Sequence, residues 1–409
     1  MHTISRLGVA SVLGGLLASV SLGAMASDIR FTFGEYSAKT KPFWAQVAAD
    51  FEAANPDIHI KVESIPWSSY LQTLTTDISA DNAPDISVVA SIWLTDFAEQ
   101  GLVEPIKDAT NAGLSDKIIP ALLSPSVVDG ELMGLPFAAS ARAMMINNAL
   151  YTKAGVKPPT TWEELSAAAK KITELGGDTY GFGLPGKEEE VDVYYYYALW
   201  SHGGEIFDKD GKSLLGSPEA IAAAKIYADL VKAGYTEPSP TANSREDVFN
   251  LFKRGKIGTI FTFPMLVPQI AEEAPDLDYS VLPFPVKSTE AAMAITDALV
   301  VFKSSQAKED IKKFLDFIYQ DKYRSAFDKA DGLLPVTQNV LQEDYFQKDP
   351  KIAAFANGLK HAKFQPSVKL WDQVIDITRS ALQRVYTGDQ TPEEALPAAA
   401  AAINALYGK

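Results

Sequence analysis

Strand and helix periods alternate along this chain. Residues 28–33 read as a short strand, and Ile58, Ile60 and Val62 set between polar neighbours read as a second, the two-residue period of a half-buried strand. Between them Phe43, Val47 and Phe51 recur at helical spacing. Pro42 stands at the expected first helical position and Asn55-Pro56 stops the run. Tyr70, Leu71 and Leu74 mark another helix, and after a break at Asn82-Ala83-Pro84 the residues Ile86, Val88 and Val89 read as a buried strand. Strand, helix, strand, helix, strand predicts a parallel sheet with right-handed crossovers.

The second half repeats the logic. Thr161 with Glu164 forms a capping box ahead of Leu165, Ala169 and Ile172, and Ser217-Pro218 opens a helix that ends at Gly234. Residues 257–261 and 299–302 read as buried strands. A second box at Thr391-Pro392-Glu393-Glu394 heads a last helix in which Pro397 introduces a kink. No low-complexity linker or repeat divides the chain, although at 409 residues it exceeds what one core serves. Passage between two domains is therefore expected at short proline-bearing connections, near residues 135–139, 282–286 and 333–336. Several tight crossings make a hinge.

The N-terminus changes the setting. Arg6 precedes an apolar run over residues 7–22, and Ala24-Met25-Ala26 is a small-x-small site, which together make a cleavable export signal over residues 1–26. The run falls short of the roughly 20 residues a membrane span takes. The chain has no cysteine, which removes disulfides, thiol nucleophiles and an N-terminal lipid anchor, and the expected location is the periplasm. A formal charge of −15 argues against nucleic acid and anionic lipid as partners.

Catalytic signatures are weak. Gly181-Phe182-Gly183-Leu184-Pro185-Gly186 matches a dinucleotide fingerprint by letter, but Pro185 and the acids Glu188-Glu189-Glu190 suit no phosphate. The stretch reads as a strand and a glycine-rich loop at a cleft. Asp208-Lys209-Asp210-Gly211 lacks calcium-loop spacing and reads as a hairpin turn. His59, His202 and His361 stand far apart, and neither HExxH nor GxSxG occurs. No metal, no cofactor and no catalytic residue are expected.

Several phrases resemble the family 1 extracellular solute-binding proteins, the maltose-binding-protein-like group. They are Met145-Ile146-Asn147-Asn148 through Gly155-Val156, Pro158-Pro159-Thr160-Thr161-Trp162-Glu163-Glu164-Leu165, Ala228 to Tyr235, Phe252 to Gly258 and Gly332-Leu333-Leu334-Pro335-Val336, in the family's order. Two departures stand out. Phe263-Pro264-Met265 occupies the place of a Gly-Pro-Trp whose indole stacks on sugar, and Ile295-Thr296-Asp297 that of a Gly-Gly pair, with Asp297 where ligand would lie. The resemblance implies an α/β, periplasmic-binding-protein-like fold: two lobes, each with a central mostly parallel sheet, joined by a multi-crossing hinge. One lobe is expected to take residues 27–137 plus 286–333, the other 138–285 plus 334–409. It also implies a non-enzymatic monomer that closes over a small-molecule solute and docks on the membrane permease of an ABC importer.

A carbohydrate site needs flat aromatic surfaces with donors and acceptors around the rim. In an open α/β sheet such groups collect just past the strand ends. Those positions nominate Glu35, Tyr36, Trp67, Tyr70, Ser91 and Trp93, and further along Trp200, Gly203 and Trp371, with Phe263, Met265 and Asp297 from the altered phrases. Tyr194 to Tyr197 cannot all face a ligand, since successive helical residues point different ways. Arg142 has two readings, a bidentate ligand contact or the partner of a structural acid. A non-sugar solute such as a polyamine, and an exported glycan-active enzyme, are the rival functions.

Overall fold

The computed structural model describes residues 27–187, 190–366 and 368–409; the export signal expected over residues 1–26 lies outside the described residues. The strands, in chain order, are β1 (Ser27–Gly34), β2 (Ile58–Ile65), β3 (Ile86–Ala90), β4 (Val127–Val128), β5 (Glu131–Leu132), β6 (Leu135–Ala141), β7 (Ala143–Asn147), β8 (Tyr180–Phe182), β9 (Ile257–Thr262), β10 (Tyr279–Leu282), β11 (Ala292–Val301) and β12 (Ala362–Lys363). They build two principal sheets, each covered by helices. The larger has the order β12-β11-β3-β1-β2 with β6 also paired to β11; the smaller has the order β10-β7-β9-β8.

The strand-helix-strand start folds as its periodicity dictates, with β1 parallel to both β2 and β3. The helix Thr40–Ala54 begins two residues ahead of Pro42, and its interior face is Trp44, Val47, Ala48 and Phe51. Capping boxes form at Thr161 and Thr391, and the Asp208 carboxylate closes the hairpin turn by accepting from the Asp210 and Lys212 amides. Pro397 is carried inside the last helix.

The expectation of mostly parallel pairing holds in the larger sheet, where three of five ladders are parallel, and needs correcting in the smaller, where one of three is. β11 is antiparallel to β3 and β6, and in the smaller sheet β7 is antiparallel to both β9 and β10. A parallel pair requires a long crossover within one layer. β6 and β7 are instead one extended run broken only at Arg142, handing the chain from one sheet to the other, and β10 and β11 return it. Strands that enter from the other sheet are free of the crossover rule. Arg142 is fastened at the passage, its amide donating to the Met293 carbonyl at 2.9 Å.

The core under the larger sheet is aromatic. Phe31 packs edge-to-face with Phe33, Trp44, Phe137 and Phe314 at centroid separations of 5.0 to 6.0 Å. Arg324 is fully buried among these rings; it donates to the Phe137 carbonyl and to Asp328 at 3.2 Å. The smaller sheet packs on the helix Glu190–Ser201, which is buried on every side, as a helix with no polar face must be. The helices Trp371–Thr387 and Pro392–Leu406 close the layer behind it. Because Phe31 has no exposed surface and sits at the centre of its cluster, Phe31→Ala is expected to lower the unfolding free energy by about 3–5 kcal/mol in denaturant titration. A loss below about 1 kcal/mol would mean this core is not the cooperative unit.

Candidate functional site

A cavity of about 360 Å³ lies between the two sheets, and its two walls differ in chemistry. On the side of the larger sheet, the indole of Trp67 begins the helix Trp67–Ser79 and lies flat over the end of β1. Gly34 permits this, since a Cβ there would overlap the indole ring. Trp67 meets Tyr36 at 5.6 Å, Tyr70 at 5.5 Å and Trp93 at 5.9 Å between centroids. Trp67, Ser91 and Trp93 line the cavity. Ser91 is held by donation to the Thr296 carbonyl at 2.6 Å. Tyr36 donates to Asp297 Oδ2 at 2.7 Å, and burial pushes the Asp297 carboxyl up to about 7 even though the residue keeps some exposed surface.

The opposite wall carries charge. Arg142 reaches Glu190 Oε1 at 3.1 Å, and Arg245 approaches the same oxygen at 3.4 Å. Both guanidinium groups lie over the Phe263 ring, at 4.4 and 5.1 Å from its centroid. Arg379 Nε sits 2.7 Å from Asp192 Oδ1. Burial raises Asp192 to about 6, with Arg379 opposing the shift. Arg142, Glu190, Arg245 and Arg379 all line the cavity, beside Phe364 and Gln365. Such a wall offers fixed donors and acceptors to hydroxyls, while the indoles offer flat apolar faces to C–H groups.

The nominated residues scatter more widely than the cavity. Trp67, Ser91, Trp93 and Arg142 line it; Tyr36 and Asp297 stand behind the indole wall and Phe263 beneath the arginines. Glu35 points to solvent. Tyr70 is fully buried, bonding Ser87 at 2.7 Å, and serves as a support for Trp67. Trp200 and Trp371 are buried within the helical layer, both stacked on Tyr196 at 5.6 and 6.3 Å. Gly203 lies against Ser288, and Met265 packs under Gly332. The sequence analysis missed Glu190, Arg245 and Arg379. Glu190 had been read only as one of three acids repelling phosphate, and its partners stand 48 and 55 positions away.

The glycine-rich stretch is also placed differently. It packs away from the cavity: a Cβ at Gly181 would overlap the Ala169 backbone, and Gly186 rests on Pro240 and Thr241. The Leu184 amide donates to the buried Glu237 carboxyl, which burial raises to about 7. A second cavity, of about 450 Å³, opens behind the crossings between Phe284, Val286 and Asn357, with His361 and Glu290 paired at 3.0 Å on its rim. It is the larger of the two but lacks the paired aromatic and charged walls.

A family model for bacterial extracellular solute-binding proteins matches residues 35–325. The chain belongs to this family. A relative of this solute-binding protein, a binding protein of Brucella abortus (strain 2308), is 46% identical over 403 residues, covering 97% of this chain and 98% of its own. Among solved structures, a solute-binding protein of an ABC transporter from Thermotoga lettingae, bound with α-D-tagatose, superposes with a TM-score of 0.81 at 28% identity, covering 92% of this chain and 99% of its own. A substrate-binding protein from Listeria monocytogenes in complex with cycloalternan gives 0.80 at 26% identity, covering 93% and 99%. The two-lobed α/β architecture expected from the sequence is thus the fold of this solute-binding protein.

Four acids, the buried Asp192, Glu237 and Asp328 and the partly buried Asp297, hold their protons more tightly folded than unfolded, with values near 6 to 7. Stability from such raised carboxyls is complete below their unfolded value, about 4, and is lost as pH rises through the folded values. The thermal midpoint is therefore expected to rise as pH is lowered from 8 to 5.5, and Asp297→Asn should flatten part of that slope. A midpoint that falls on acidification over this window would contradict the assignment.

Proposed function

We propose that this protein captures a carbohydrate, a mono- or oligosaccharide, between its lobes and hands it unchanged to the permease of an ABC importer. It acts as a periplasmic monomer after export. The observation that carries this reading is the pairing of an indole wall, Trp67 and Trp93, with a wall of ordered charged groups, Arg142, Glu190 and Arg379, across one cavity. A sugar matches both at once: its C–H faces lie on the rings and its hydroxyls meet the charged rim. Sugar-bound relatives of the same fold support the reading. The binding set is read as the cavity-lining Trp67, Ser91, Trp93 and Arg142 with the supporting Tyr36, Phe263 and Asp297.

Closure follows from the same division. The lobes are proposed to part near residues 137, 285 and 333. Support comes from the passage at Arg142, the return between β10 and β11, and the Leu334 amide bonding Ala139 beside the first crossing. A solute resting on the indole wall gains the charged wall only when the lobes approach, and that difference in contact shifts the equilibrium toward the closed form.

A thermal-shift panel of mono-, di- and trisaccharides is expected to yield at least one stabilising sugar, with compaction in small-angle scattering and full recovery of unmodified sugar. Trp67→Ala should weaken that sugar by about 10- to 100-fold, roughly 1.4–2.8 kcal/mol, measured by calorimetry. Turnover of the sugar, or no stabilising sugar in the panel, would overturn the reading.

A further inference from the structure

The charges on the two walls are balanced unequally. On the charged wall the guanidinium groups of Arg142 and Arg245 share Glu190, and Arg379 meets Asp192. Behind the indole wall Asp297 has no such neighbour among the described residues. Its Oδ2 accepts from Tyr36, its Oδ1 has no hydrogen-bond partner among the described residues, and no cation pairs with it there. The titratable groups facing it are the Tyr36 and Tyr70 phenols, and the charge of Arg324 is felt at the Tyr36 hydroxyl. Asp297 lies in register with Ala90 of β3, and Ala90 and Thr296 both line the cavity. The register of β11 against β6 shifts at Asp297/Ala298, which sets this residue apart from the regular ladder.

An unpaired carboxylate in this position destabilises the fold, and its raised proton affinity reports that cost. A cation supplied by the ligand would relieve it. The neighbouring rings favour the same occupant, because the electron-rich faces of Trp and Tyr attract ammonium groups. Trp67 and Trp93 line the cavity, and the Tyr36 ring packs edge-on against Trp67. The chain's formal charge of −15 adds a field that draws cations rather than anions.

We propose that the solute carries a protonated amine, seated on the Trp67–Trp93 wall at the edge of the cavity where the lining residues Ala90 and Thr296 adjoin Asp297, so that the ligand class is an amino sugar rather than a neutral one. The proposal rests on the carbohydrate reading for the sugar part of the ligand, and on Asp297 alone for the amine. Hydroxyls at the other end of the ligand meet Arg142, Glu190 and Arg379. No bond is made or broken; Asp297 is a specificity residue.

The test compares amine-bearing mono- and disaccharides with their hydroxyl and N-acetyl counterparts by calorimetry at pH 7.5, and includes putrescine and spermidine as amines without a sugar. Amine-bearing sugars are expected to bind at least about tenfold more tightly than their neutral counterparts. Asp297→Asn should abolish that ratio, bringing amine-bearing and neutral ligands to within about threefold of each other. Tyr36→Phe, which keeps the ring and removes only the hydroxyl, serves as the second variant and should retain the preference for the amine. Neutral forms binding as well as amines, or a preference that survives in Asp297→Asn, would overturn the proposal and leave the carbohydrate reading standing. If no sugar binds, the carbohydrate reading falls. The amine assignment then stands only if putrescine or spermidine binds and Asp297→Asn abolishes it, and falls otherwise.

Discussion

The buried pairing of Arg142 with Glu190 is the contact on which the arrangement turns. Both side chains are nearly closed to solvent, at 7% and 4% exposure. Arg142 is the residue between β6 and β7, where the chain leaves one sheet for the other, and its amide is tied to β11, the strand that brings the chain back. Its side chain crosses to the helix Glu190–Ser201 and covers the Phe263 ring. One residue therefore fixes the crossing, anchors the smaller sheet's helix and faces the cavity. Neither charge could be buried there alone, since an unpaired ion in that setting costs several kcal/mol.

The two walls are held by different physics, and this suits them to different tasks. The indole wall is positioned by shape: Gly34 leaves a flat bed for Trp67, and Tyr36, Tyr70 and Trp93 pack around it by ring edges. Such a surface is preformed and needs no partner. The charged wall is positioned by mutual neutralisation, with Arg142, Arg245 and Arg379 each set against a carboxylate. Its donors already point in defined directions, so a ligand that meets them loses little free energy to reorganisation. Asp297 is the exception to both schemes, a carboxyl that accepts from the Tyr36 hydroxyl but has no cation beside it among the described residues.

Short-range features of the fold were legible in the residues. The capping boxes at Thr161 and Thr391, the parallel start of the larger sheet and the hairpin turn at Asp208 stand where local pattern placed them. Trp67, Ser91 and Trp93 line the cavity because they follow strand ends, and a sheet exposes its strand ends to the cleft. Trp200 and Trp371 were nominated for the same reason of chemistry, and the helical layer buries both against Tyr196. An aromatic in a helix carries no mark that tells a ligand platform from a core residue; only the packing around it does. The antiparallel strands at the passage were illegible for a related reason, because alternation reports burial and says nothing of direction.

By itself the sequence determined the elements, their caps and order, the absence of cysteine chemistry and the family phrases, all of which are read from the residues themselves or from neighbours within a few positions. Tertiary structure decided the charged wall. Arg142 finds Glu190 across 48 positions, and Arg379 finds Asp192 across 187. It also decided which aromatics line the cavity and, among the described residues, left Asp297 without a counter-ion. Coulombic pairing and burial depend on distance in space, and a linear pattern holds no record of which of its many charges the fold will bring together.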